Sequence, residues 1–145
     1  DLRLGYQGIK YAIQNGANVV SNAWSGGQRQ KDDAGILNSA LAKGVTIINS
    51  VGNYPTEQAS MPAAHPAVFG VAGVDASGRI IKLSNYGSEV DLVSVAQAIS
   101  SVSLSSESGQ RVESGTSAAV PVIAATAALM KLVNPDISRN EIQDC

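Results

Sequence analysis

Two short apolar runs, with a helix-patterned segment between them, limit the possible folds more than any other feature of the chain. Ala17 to Trp24 carries Val19 and Val20 between polar neighbours, and Val45 to Ile48 is a compact apolar run. Between them, Ile36, Leu37, Ala40 and Leu41 form an apolar stripe at helical spacing. Asp32 or Asp33 is placed to cap that helix, and Gly44 stands where a left-handed terminator belongs. Strands that read as continuous apolar runs are buried on both faces, and a helix between two of them is the mark of a parallel crossover. The order predicts an α/β fold, a three-layer α/β/α arrangement around a mainly parallel sheet.

The flanking sequence extends this pattern. Leu2, Leu4, Ile9, Ala12 and Ile13 predict an amphipathic helix ended by Asn15-Gly16, and Ser25-Gly26-Gly27 opens a loop. After a loop from Asn53 to Pro66, strand-like runs are expected at Ala67–Val74, Arg79–Leu83, Val90–Val95 and Ala98–Val102. An Ala-rich helix is expected from Ser117 to Val133, stopped by Asn134-Pro135. Ser138 with Glu141 has the spacing of a capping box for a further helix toward Cys145. Since the first residues already read as helix and the last as a helix just starting, the domain is expected to be incomplete at both ends.

Composition narrows the function classes. With 145 residues and 44% apolar content the chain can bury a core of its own. Its net charge of -2 comes from scattered residues with no run of either sign, so neither a nucleic-acid footprint nor a membrane patch is expected. The apolar stretch Val120 to Met130 is broken by Pro121 and Thr126 and falls short of the roughly 20 residues of a membrane span. A buried helix is expected there, not a membrane segment. The lone Cys145 allows no intrachain disulfide, and there is no Cys/His cluster with metal spacing.

The segment that carries chemistry is Ser114-Gly115-Thr116-Ser117-Ala118-Ala119-Val120-Pro121, a turn of small residues running directly into an apolar helix. A serine at such a helix start sits at the positive end of the dipole, beside N–H groups that have no partner within the helix. Donors of that kind can stabilise an oxyanion formed when the serine attacks a carbonyl. The plainer reading is a glycine-serine turn before a core helix.

The segment resembles the Gly-Thr-Ser-x-Ala-x-Pro motif of subtilisin-like serine proteases, and three further stretches resemble that family in the same order. Val19-Val20-Ser21-Asn22-Ala23-Trp24-Ser25-Gly26 is similar to its substrate-pairing strand, and Ile48-Asn49-Ser50-Val51-Gly52-Asn53 to its strand ending in Ala-Gly-Asn. The third runs from Met61-Pro62-Ala63-Ala64-His65-Pro66 through Val71-Ala72-Gly73-Val74-Asp75 to Ser84-Asn85-Tyr86-Gly87. The resemblance implies a serine endopeptidase, with Ser117 as nucleophile and Asn53 completing the oxyanion hole. It further implies that Ala23, Trp24, Ser25, Ser50, Val51 and Gly52 bind the substrate polypeptide. The Asp and His of the triad are then expected upstream, in a missing N-terminal half of the same domain, and the chain alone is expected to be inactive and poorly folded. No cofactor is required for the chemistry, structural calcium is allowed, and an extracellular or cell-envelope location is implied. The other readings are a subtilisin-like domain that has lost its triad and only binds or scaffolds, and an unrelated α/β binding module.

Some residues depart from the family or tempt without support. Ser25 replaces a glycine and adds a side chain where substrate would approach the backbone. Val120 stands where a small or hydroxylated residue is usual, and Val93 to Gln97 lacks the family's Ala-Pro-Gly turn. His65 is the only histidine, but in that family its position is variable, so a loop-packing or surface role is expected. Asp75 reads as a turn residue, Trp24 as a core aromatic, and Met61 and Met130 as packing.

Overall fold

The computed structural model describes residues 2–26, 31–105 and 108–145. Helix α1 (Leu2–Gln14) leads to strand β1 (Val19–Asn22), helix α2 (Lys31–Ala42) and strand β2 (Thr46–Ser50). Then come β3 (Val68–Val74), β4 (Leu92–Val95), β5 (Ile99–Val102), β6 (Gln110–Glu113), α3 (Thr116–Val133) and α4 (Arg139–Gln143). Strands β1-β2-β3-β4 lie in that order in one sheet, and every neighbouring pair is parallel. The expected three-layer α/β/α architecture is present.

Successive side chains of a strand face opposite ways, so each central strand feeds both layers. On one face Ile47 and Val68 pack with Tyr6, Ile9 and Ile13 of α1 and Leu37 and Ala40 of α2. On the other, Ile48, Phe69 and Val71 pack with Ala119, Val120, Ala124 and Ala127 of α3 and Ile142 of α4. Every residue of β2 and β3 is buried, as the sequence led one to expect. Gly16 and Gly44 terminate α1 and α2 with φ of 80° and 69°. The capping box of α4 is formed in both directions, Ser138 accepting from the Glu141 N–H and Glu141 from the Ser138 N–H.

Several expectations are corrected. Arg79–Leu83 is no strand; it touches the sheet through a single antiparallel bridge, Val74 to Ile80. There Asp75 accepts the N–H groups of Ser77 and Arg79, and Gly78 adopts φ 76°, so local side-chain hydrogen bonds close a turn before a ladder can grow. Ile99–Val102 is extended but leaves the main sheet, pairing antiparallel with β6 in a separate two-stranded hairpin. The polar sequence of β6 gave no strand signal. Helix α2 starts at Lys31, so Asp32 and Asp33 lie in its first turn and not at the cap. Gly27 lies outside the described residues.

Helix α3 departs most from expectation. By length and composition, with a mean hydropathy of 1.6, it could cross a membrane. It instead lies along the sheet, and only the stripe Thr116, Ala119, Val120, Ala124 and Ala127 is buried. Its other face is open.

Candidate active site

In a parallel sheet all the C-terminal strand ends lie along one edge, where open α/β folds gather functional groups. Ala23 follows β1 and Asn53 follows β2 at that edge, and α3 begins beside them. Gly115 precedes the helix with φ 136°, a conformation that a side chain at this position would strain. A Cβ there would also stand 3.3 Å from Asn53 Nδ2. The helix thus opens at Thr116, one residue earlier than expected, with Ser117 in its first turn.

Asn53 and Thr116 hold each other. The Asn53 Oδ1 accepts the Thr116 backbone N–H at 3.0 Å and the Thr116 hydroxyl at 2.9 Å. With its oxygen committed twice, the side-chain amide must present Nδ2 away from Thr116, and Nδ2 has no partner among the described residues. The N–H of Ser117 also lacks one, as first-turn amides do. Two donors at the start of α3, Asn53 Nδ2 and the Ser117 N–H, are therefore without partners among the described residues. The Ser117 Oγ donates to the Ala23 carbonyl at 3.0 Å.

The other sequence-predicted residues form the walls nearby. The carbonyl of Trp24 accepts from Asn49 Nδ2 at 2.8 Å, and the same nitrogen donates to the Ser50 carbonyl at 2.9 Å. The Gly26 N–H donates to Met61, tying the end of this segment to the chain after the Asn53 loop. Ser25 lies between these ties, and neither its N–H nor its carbonyl has a partner among the described residues. Val51 is fully engaged, donating to the Val71 carbonyl and accepting from Ser60. Gly52 (φ 110°) is hemmed in, since a Cβ would come within 2.7 Å of Ser60 Oγ. Trp24 lies against Gly5 and meets Tyr6 edge-on at 5.4 Å.

His65 is not brought to the site. It is buried just before β3, at the N-terminal end of that strand and so at the opposite edge of the sheet from Asn53 and Ala23. Its Nδ1 accepts the Ala67 N–H at 3.1 Å, a loop-packing role. Among the described residues no group of three His, Cys, Asp or Glu side chains is placed to hold a metal ion. Thr116 is a positioning group that sequence reasoning missed. It lies within the motif, but its complete burial and the bond from its hydroxyl to Asn53 are tertiary facts.

The model of the subtilase family, Peptidase_S8, matches residues 3–145. The thermostable alkaline protease of Halalkalibacterium halodurans is 29% identical over 94% of this chain and 37% of its own length. Alkaline elastase YaB of a Bacillus species is 30% identical over 95% of this chain and 36% of its own. A cold-adapted subtilisin-like serine proteinase superposes with a TM-score of 0.84 at 27% identity, covering 96% of this chain and 51% of that one. The chain belongs to the subtilase family, and it spans about a third to a half of the length of these relatives.

Proposed function

We propose that this chain supplies the nucleophile and oxyanion-hole half of a serine endopeptidase. The observation that carries the reading is the arrangement at the start of α3. Ser117 directly follows Thr116, which holds the Asn53 oxygen, so that the Asn53 amide donor and the Ser117 N–H are both without partners among the described residues. In the reaction Ser117 Oγ attacks the peptide carbonyl and the carbonyl oxygen gains negative charge. Asn53 Nδ2 and the Ser117 N–H then donate to that oxygen, preoriented so that no reorganisation is needed. The serine proton passes to a histidine oriented by an aspartate, both from an upstream half of the domain. The amine leaves with that proton, and water hydrolyses the acyl-enzyme.

The N–H and carbonyl of Ser25, without partners among the described residues, support pairing with an extended substrate backbone along 23–25. Val51 and Gly52, buried and internally bonded, contribute a wall and not a pairing edge. The Ser117 hydroxyl needs no cofactor for this chemistry. On the same reading the substrate is polypeptide, met outside the cell or in its envelope.

The test uses the chain assembled with an upstream half carrying Asp and His. A serine-directed phosphonate should label Ser117, and Ser117→Ala should abolish labelling. Asn53→Leu should lower kcat by about 10²- to 10³-fold with little change in KM, a magnitude taken from subtilisin, a member of this family, and not a product of the present geometry. Labelling that survives Ser117→Ala would identify another nucleophile. Absence of any labelling in the assembled protein would favour the scaffold reading.

A further inference from the structure

The loop that begins with Asn53 is anchored by buried apolar side chains only from Ala59 onward. Every residue from 53 to 58 is exposed, so the position of this first part depends on the hydrogen bonds along it. Beside the Thr116 bonds to the Asn53 side chain, those that hold its backbone centre on Asn85, more than thirty positions along the chain and only 2% exposed. The Asn85 N–H donates to the Gly52 carbonyl at 3.0 Å. Its Oδ1 accepts the Tyr54 N–H at 2.7 Å. One buried residue therefore binds the backbone immediately before and immediately after Asn53. Its Nδ2 then donates to the Gln58 carbonyl at 2.8 Å, and the next residue, Tyr86, donates to Thr56 at 3.0 Å. The fit is close, since a Cβ on Gly52 would stand 2.9 Å from Asn85 Nδ2.

We propose that Asn85 is a positioning residue for the oxyanion donor, clamping the backbone on both sides of Asn53. This rests on the endopeptidase reading given above. The two ends of Asn53 have different keepers. Thr116 sets the rotation of its side chain, and Asn85 sets where its Cα stands relative to the helix start. Both are needed, because a donor that is correctly rotated but shifted by about 1 Å loses its transition-state hydrogen bond, and such a displacement can lower a rate by roughly 10²-fold.

The experiment compares Asn85→Ala, Asn53→Leu and the double variant in the assembled domain, following kcat, KM and the rate of Ser117 phosphonylation. Asn85→Ala is expected to lower kcat and phosphonylation by about 10- to 100-fold with KM within about twofold. On the Asn53→Leu background the same change is expected to add less than about twofold, since the donor it positions is already gone. Asn85→Asp, which keeps an oxygen for the Tyr54 N–H, should recover part of the loss and carries the same comparison if the alanine variant does not fold. An unchanged rate in both Asn85 variants overturns the proposal. So does a loss of equal size with and without Asn53, the signature of a merely structural role. If the unsubstituted protein is not labelled, or Asn53→Leu alone has no effect, the endopeptidase reading itself fails and this inference falls with it.

Discussion

Strand β3 and helix α3 are both strongly apolar, yet the molecule treats them differently. Every residue of β3 is buried, enclosed by β2, β4 and the helices on either face. Helix α3 buries one stripe, while Leu129, Leu132 and Val133 on its other side are 64%, 79% and 88% exposed. Apolarity states what must be kept from water, and the rest of the fold states what does the covering. The core around β3 closes within these residues; the outer face of α3 does not. This contrast can be tested from both sides.

The largest effect is expected where enclosure is complete. Phe69 is 1% exposed, packs against α3 and lies under the Arg139 guanidinium at 4.1 Å. Phe69→Ala should lower unfolding free energy by about 3–5 kcal/mol, whereas Leu132→Ala in the same chain should change it by less than about 0.5 kcal/mol. Urea unfolding followed by Trp24 fluorescence measures both. Equal losses would break the contrast, because they would mean that the outer face of α3 is covered in solution.

Next comes the polar tie that fastens α4 to the enclosed region. Asp91 accepts the Gly70 N–H at 2.8 Å with one oxygen and Arg139 at 2.8 Å with the other. Asp91→Ala strands a buried amide and a cation, and a loss of about 2 kcal/mol is expected. Retained stability, with α4 amides no less protected from hydrogen exchange, would show that the tie is dispensable.

The smallest effect at neutral pH is expected at Tyr6, on the layer formed by α1. Its hydroxyl is buried without a hydrogen-bond partner among the described residues, and burial, helped by the charge of Asp33, pushes its pKa up to about 12. The folded state thus holds this proton more tightly than the unfolded chain, whose tyrosine titrates near 10. Stability contributed by the neutral phenol is complete below about pH 10 and is lost as pH rises toward 12. Tyr6→Phe should be near neutral or slightly stabilising at pH 7 and should flatten the alkaline fall in stability. An alkaline profile identical in the variant would assign that fall to other groups.

Local chemistry decided much of what the residues announced in advance. Helix stops at Gly16 and Gly44 were legible because positive φ favours glycine, and the Ser138–Glu141 box because its partners lie three residues apart. The parallel core was legible because residues enclosed on both faces must be apolar on both. The small-residue turn into an apolar helix brought Ser117 to attention, and resemblance to the family's motifs brought Asn53. Where a signal was local but ambiguous, as at Arg79–Leu83, side-chain hydrogen bonds from Asp75 won over strand propensity.

What the sequence determined by itself was therefore the α/β class and the order of its main elements, with Ser117 at a helix start; its resemblance to a family added Asn53. Tertiary structure alone decided the rest: that His65 falls at the far edge of the sheet, that β5 leaves the sheet for β6, and that only one stripe of α3 is covered. It alone joined Asn53 to Thr116 across 63 positions of chain and to Asn85 through its neighbours. The physical reason is range. Backbone conformation and periodic burial are written within a few residues, whereas the partner of a polar side chain is whichever group the packed layers bring within about 3 Å of it.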